Sequence, residues 1–244
     1  MDRAASVTGP SPRNMMQARK YQVTYLNNAS EIEDFTRIAP AAPAFEDAFG
    51  ALGHGAILQT ANGPMAVEDL LPGDQIRLAC GDFETLLWRG SMTIKPGDEA
   101  TSPDASSLIR ITADALGLDR PSPDLVLGPT ARLYHRASNV RTLTGSRAAY
   151  IPVRDFIDGN AFVELRPATP VAVYQLGFAS HRRLSVNGIE IESLHPGTAF
   201  ALGLRGDRLA QFLSLFPHKH SLEDFGTLQY PRLRLRDLDL FDLK

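Results

Sequence analysis

From Gly53 onward the chain is cut into short β-rich runs by turn-forming dipeptides, and this punctuation restricts the fold more than any other feature. Asn62-Gly63-Pro64, Pro72-Gly73-Asp74, Gly81-Asp82 and Pro96-Gly97-Asp98 separate the runs AILQT, MAVEDL, QIRLAC, ETLLWRG and SMTIK. Glycine supplies positive φ and proline presets one turn angle, so each of these clusters reverses the chain. Turns at a spacing of roughly 8–12 residues predict an all-β sandwich or barrel-like domain. Glu99 to Ser107 reads as a polar loop, after which the texture resumes through SLIRITADAL, DLVLGP, ARLYH, AAYIPVRDFI, AFVELRP, VAVYQLGF and RRLSVNGIEIESL. Asn187-Gly188 joins two alternating runs there, and it predicts a type I′ hairpin because both central residues of that turn need φ > 0.

The flanks read differently. Residues 1 to about 19, rich in Ser, Pro and Arg, are expected to form a flexible tail. Tyr21 to Leu26 alternates as a short strand, and Asn27 to Ser30 reads as a turn and helix cap leading into one or two helical turns over Glu31 to Ile38. Ala39 to Ala44, with Pro40 and Pro43, is a linker, and Phe45 to Leu52 a short helix. Near the end, Asp207 to Phe216 carries apolar residues at helical spacing, and the Leu-and-charge alternation after Phe225 predicts an edge strand or a partly ordered arm. The expected organisation is therefore 1–44 as tail, short strand and linker, 45–200 as the β domain with a few short helices, and 201–244 as a helix and arm on or beside it.

Composition narrows the function. The 244 residues suit one large β domain with appendages, or two small domains. A hydrophobic content of 43% supports a real core, and a formal charge of -3 without any basic block predicts no nucleic-acid partner. One cysteine, Cys80, rules out an intramolecular disulfide. The N-terminus has no apolar h-region, and no apolar run reaches the length of a membrane span. These features predict a cytoplasmic protein, with export lacking an N-terminal signal as the alternative.

Four stretches in order resemble the Hint (hedgehog/intein-type) domains found in many alphaproteobacterial proteins. The first runs Gly55-Ala56-Ile57, Thr60, Gly63-Pro64-Met65-Ala66-Val67-Glu68-Asp69-Leu70, Pro72-Gly73-Asp74. It is similar to the family opening, a cysteine four residues before a Gly-Thr pair and then T-x-x-G-x-x-x-V-E-x-L-x-x-G-D. The second is Leu87-Trp88-Arg89-Gly90, like V-x-W-I-G. The third is Asp124 to His135, like D-L-x-V-S-P-x-H-x-x-L. The fourth, Tyr174 to Pro196, is similar to Y-x-H-L followed by H-x-x-x-x-x-N-G-x-x-x-E-S-x-x-P-G. The resemblance covers about residues 45–200. It implies a horseshoe of short strands with pseudo-twofold symmetry and an ancestral self-cleavage of the backbone.

That reaction needs a Cys or Ser that attacks the preceding carbonyl, and a His that polarises the scissile amide and protonates its departing nitrogen. On the resemblance, the nucleophile position is Ala51 and the third-stretch histidine position is Ala131. The fourth stretch retains His181, while its other histidine position reads Gln175. The chain is thus expected to keep the scaffold without the machinery and to act as a binding or structural module with a possible protein partner. The former cleft, or an apolar surface at Phe212, Leu215 and Phe216, would meet that partner. The alternative is autoprocessing through non-standard residues, with the segment before Ala51 released.

Among substitutes, Cys80 reads as a small, half-buried residue, and His54 as an exposed loop residue with a minor reading as a displaced base. Thr60 matches a family Thr expected to pack and to hydrogen-bond its strand. His135 is expected to turn to solvent at a strand end, and His195 to lie in a loop. His218 and His220 are expected in a solvated loop, with a metal-ligand pair as a minority reading. No cofactor and no metal site is expected. No phosphate-binding glycine loop, G-x-G-x-x-G or G-x-S-x-G elbow is present.

Overall fold

The strand that most clearly organises the molecule is WRGSMTI, whose alternation buries every second residue. The computed structural model describes residues 17–97 and 106–239. Among these residues it is mostly β, with two eight-stranded antiparallel sheets and a few short helices. Parts of the expected tail and polar loop, and the last residues of the expected arm, lie outside the described residues.

The first sheet runs, from edge to edge, β13 (Phe162–Leu165), β9 (Leu108–Ile111), β10 (Leu125–Leu127), β3 (Leu52–Gly53), β14 (Val171–Gly177), β8 (Trp88–Ile94), β1 (Ala18–Leu26) and β2 (Ile32–Pro40). The second runs β12 (Ala149–Pro152), β11 (Arg132–His135), β16 (Ile189–Glu192), β15 (Arg183–Val186), β4 (Ile57–Thr60), β6 (Gln75–Arg77) and β7 (Phe83–Thr85), with β5 (Gly63–Ala66) paired to β4. The short helices are α1 (Pro43–Glu46), α2 (Ser138–Thr144), α3 (Ala199–Leu202), α4 (Gly206–Leu213) and α5 (Leu235–Asp239).

Because side chains alternate across a strand, β8 turns Trp88, Met92 and Ile94 to one face. There they meet an aromatic cluster drawn from distant segments. Trp88 lies 5.2 Å from Phe49 and 5.1 Å from Phe216 between ring centroids. Its indole N–H donates to the Leu215 carbonyl at 2.9 Å, which satisfies the one polar atom of a fully buried side chain. Phe212, Leu215 and Phe216, expected as an exposed partner surface, are instead fully buried in this cluster beside Tyr21 and Phe45. Within α4 itself Phe212 is fully buried, while Leu209 and Leu213 are partly buried. A second core, containing Leu52, Leu58, Leu127, Leu176 and Ile191, gathers buried residues from both sheets.

The helical turns expected over Glu31–Ile38 are a strand. Residues 32–40 pair one for one with β1, from Leu26↔Ile32 to Ala18↔Pro40. The cap-like sequence before them closes a hairpin. Asn27 Oδ1 accepts from the Ala29 and Glu31 amides at 2.8 and 2.9 Å, and Ser30 takes φ 61. An Asn side chain that folds back on its own turn does this job at helix starts and hairpins alike, and the β-formers Ile32, Phe35, Thr36 and Ile38 decide between them. The expected Phe45–Leu52 helix begins earlier and is one turn long, over Pro43–Glu46. The C-terminal segment touches the edge of β12 through the Arg232↔Tyr150 bridge and then forms α5.

Candidate functional site

Ala51 and Ala131, far apart in sequence, come together. The Gly128 amide donates to the Ala51 carbonyl at 2.8 Å, and the Thr130 amide donates to the Gly50 carbonyl at 3.2 Å. The approach requires a glycine, since a Cβ at Gly128 would sit 2.0 Å from the Gly50 carbonyl oxygen. Both alanine methyls are buried in the same apolar core, with Leu52, Leu127 and Leu176. The Ala51 amide nitrogen, the atom that would leave in a cleavage, donates instead to the Tyr174 carbonyl at 3.1 Å. One polar side chain beside Gly50 was not among the expected candidates. Thr130 Oγ1 is buried without a hydrogen-bond partner and lies 3.3 Å from where a Gly50 Cβ would be.

His181 does not join them. Along β11 and the residue before it, Ala131 and Leu133 are buried toward the core while Arg132 is only partly buried, as the alternation of a strand requires. His181 lies on the Arg132 side. Its Nδ1 accepts from the Gln229 amide at 3.1 Å, so Nε2 carries the proton, and Nε2 lies 3.2 Å from Glu192 Oε1 in poor alignment for a hydrogen bond. Arg232 Nε donates to both Glu192 oxygens, at 2.9 and 3.2 Å, and its NH2 donates to the His195 carbonyl at 2.6 Å. Arg132 NH1 approaches Glu192 Oε2 at 3.5 Å, and its NH2 approaches Asp47 at 3.8 Å. Burial alone would push the Glu192 carboxyl up. The contact with His181 and the charges of Arg232 and Arg132 overcome that and hold it below the usual carboxylate range.

His195 packs 5.0 Å from the His181 ring. Its Nδ1 accepts from the Gly197 amide at 2.9 Å and its Nε2 lies 3.0 Å from the Gly226 carbonyl, so both nitrogens are committed in the neutral ring. Burial pushes its pKa down to about 4, against a smaller upward pull from the Gly226 carbonyl. Tyr150 Oη is buried beside this network with no partner, and burial followed by the charge of Glu192 raises its pKa. The sequence signal for the network was slight: Glu192 closes the strand IEIE, where Glu190 is equally acidic but only partly buried.

The remaining candidates scatter. His54 is exposed and pairs with Glu68 at 3.3 Å; Glu68 also accepts from the Gly55 amide at 2.9 Å, so the pair holds the loop beside β3. Thr60 Oγ1 donates to the Gly63 carbonyl at 2.8 Å and accepts from the Asn62 amide at 3.1 Å, pinning the β4–β5 turn. Gln175 is buried, its Oε1 accepting from the Leu176 amide at 3.0 Å. His135 is half-buried 5.7 Å from the Phe156 ring, and burial lowers its pKa. Cys80, expected half-buried, is exposed at the rim of a cleft of about 610 Å³ that also takes in Arg182, Arg183 and Tyr230. Its Sγ lies 3.4 Å from Asp82 Oδ2. His218 is not in a solvated loop. It is largely buried 6.2 Å from the Trp88 ring with neither nitrogen hydrogen-bonded, and burial drives its pKa down to about 3. Among the described residues no group of three or more His, Cys, Asp or Glu is arranged to hold a metal ion. No helix among them is long and apolar enough to cross a membrane.

Two interleaved antiparallel sheets around a β3 start, with the third-stretch loop folded against it, define a Hint-type β domain. The family model described as "Hint domain" matches residues 51–198, more than half of the chain, and the chain belongs to that family. Among solved structures, the chain is similar to a glutathione-linked, splice-inactive variant of the AceL NrdHF class 3 split intein. The identity is 9% and the TM-score 0.39, and the match covers 59% of this chain and 98% of that one. No curated protein matches the chain.

Proposed function

We propose that this Hint-domain protein does not cleave itself and works as a binding or structural module. The observation that supports the reading is the pair of methyl groups at Ala51 and Ala131, both buried in one apolar core on segments that hydrogen-bond across the Gly50–Ala51 peptide. A methyl group cannot attack a carbonyl and cannot protonate a leaving nitrogen, so neither position supplies the nucleophile or the acid that the reaction needs. His181 is tied to Glu192 and Gln229 on the other side of β11.

Intact mass spectrometry of the full chain, after prolonged incubation with a thiol and with hydroxylamine, is expected to return one species at 26.6 kDa. Fragments broken at Gly50–Ala51 would refute the reading. The second reading, autoprocessing through non-standard residues, has one observation in its favour: the unpartnered Thr130 hydroxyl at that peptide. Cleavage there that disappears in Thr130→Val would establish it.

A further inference from the structure

We infer that the cleft between α1, α3 and the Arg132–Arg232 pair binds a carboxylate carried on a short aliphatic body. This rests on the reading of the chain as a binding module. The cleft has a volume of about 500 Å³, within the range of small-ligand sites. Its walls are Ala42, Pro43, Ala44, Ala48, Ala201 and Leu202, and its polar lining is Arg132, Arg232, Asp47 and His195.

The lining has donors to spare. A guanidinium carries five N–H groups in a fixed fork that matches a carboxylate. Arg232 commits Nε to Glu192 and NH2 to the His195 carbonyl, and among the described residues its NH1 has no hydrogen bond. Arg132 reaches its two carboxylates only at 3.5 and 3.8 Å, longer than an N–H···O bond. His195 is neutral with both nitrogens occupied, so it adds no charge.

The ligand's charge follows from the same inventory. Glu192, which Arg232 holds in a hydrogen-bonded pair, balances one cation. Asp47, with its side chain 52% exposed at 3.8 Å from Arg132, loosely balances the other. A single incoming carboxylate displaces Asp47 from Arg132 and gains the fork geometry. A dianionic phosphate meets repulsion from both Asp47 and Glu192. The small apolar walls contain no aromatic ring for stacking, and their methyl groups leave room for an aliphatic chain. The chemistry fits either the C-terminal carboxylate of a peptide ending in an aliphatic residue or a free short-chain acid.

The test is a titration of the ¹⁵N-labelled full chain, followed by NMR at the backbone amides of Ala44, Asp47, Arg132 and Leu202. The probes are N-acetyl-Ala-Leu, its C-terminal amide, hexanoate and inorganic phosphate. At least one of the two acids is expected to saturate shifts at these residues, and the tighter one identifies the source. The amide is expected to bind at least tenfold more weakly than its acid. Asp47→Asn is expected to tighten binding several-fold, and Arg132→Gln to weaken it at least tenfold. Asp47→Asn at a half-exposed side chain keeps the test decisive if Arg132→Gln fails to fold. No saturable shift with either acid, equal binding of the amide, or phosphate binding as tightly as the acids would each overturn the inference. Intact mass taken before and after titration separates this failure from that of the underlying reading: an uncleaved chain that binds neither acid sinks only the carboxylate site.

Discussion

Replacing Glu192 by Gln keeps the volume and one acceptor but removes the negative charge that Arg232, Arg132 and His181 surround. Removing one partner of a buried ion pair costs about 3–5 kcal/mol, because the remaining charge is stranded in low dielectric. Here Arg232 and Arg132 each keep a side chain 21% exposed. Water therefore solvates part of the orphaned charge, and the expected loss is at the low end, about 3 kcal/mol. For a chain of this size that lowers Tm by about 6–12 °C. The single tryptophan, buried at Trp88, reports unfolding in urea, and the midpoint should fall with the slope unchanged. The acid limb carries a second signature. Glu192 ionises more readily folded than unfolded, so its stabilisation is present above the unfolded carboxyl pKa of about 4.3 and is lost as pH falls through its lower native value. Glu192→Gln should therefore lose less stability than the parent below about pH 4. Adding Arg232→Met should restore part of the loss, since a stranded cation is replaced by an apolar side chain. A loss below about 1 kcal/mol at neutral pH would mean that the network behaves as a screened surface pair, and the reasoning would fail.

Gly128→Ala should destabilise by about 1–3 kcal/mol in urea, because its Cβ would meet Gly50 backbone atoms at 2.0 and 2.7 Å that cannot swing aside. Gly55→Ala, with φ +80 and nothing within 4 Å, should cost only about 1 kcal/mol of backbone strain; the reverse order would refute the close approach. His218→Leu should match or exceed the parent's stability at pH 7.5, because it removes a buried imidazole with no partner. The parent should weaken as pH falls from about 6.5, where unfolded His takes up a proton that folded His218 refuses. Urea midpoints at pH 7.5 and pH 5 should show that slope flattened in the variant, and an unchanged slope would place His218 in solvent.

What the sequence reveals here is local, and what it conceals is long-range. The Asn187-Gly188 hairpin is written in two adjacent residues, and they take φ 47 and φ 81 between the paired Val186 and Ile189. The burial of alternate residues in β8 is equally local, and the four ordered stretches carry the resemblance to the Hint family, whose model matches residues 51–198. The strand at Ile32–Pro40 escaped because Asn27 serves a helix cap and a hairpin turn by the same hydrogen bonds. The burial of Phe212 and Phe216 depends on Tyr21, Phe45 and Trp88, which no window around α4 contains. The site divides in the same way. Ala51, Ala131 and His181 could be singled out from the family resemblance. The network of Asp47, Arg132, Glu192 and Arg232 could not, since its members meet only after β11, β16 and the C-terminal segment have docked.

The entry to β11 thus carries two unrelated duties on consecutive residues. Ala131 points into the core against Leu52 and Leu127, where any larger or polar group must displace packed carbon. Arg132 points the other way, toward Glu192, Asp47 and the open cleft. Period-two geometry means that filling one face with methyl groups leaves the chemistry of the other face untouched. The apolar closure around Gly50–Ala51 and the charged opening beside α1 are therefore compatible on the same few residues. On the reading proposed above, the chain still presents a donor-rich concavity lined by Asp47 and Ala48, just before Gly50–Ala51, and β11 and β16 supply Arg132 and its partner Glu192 beside it.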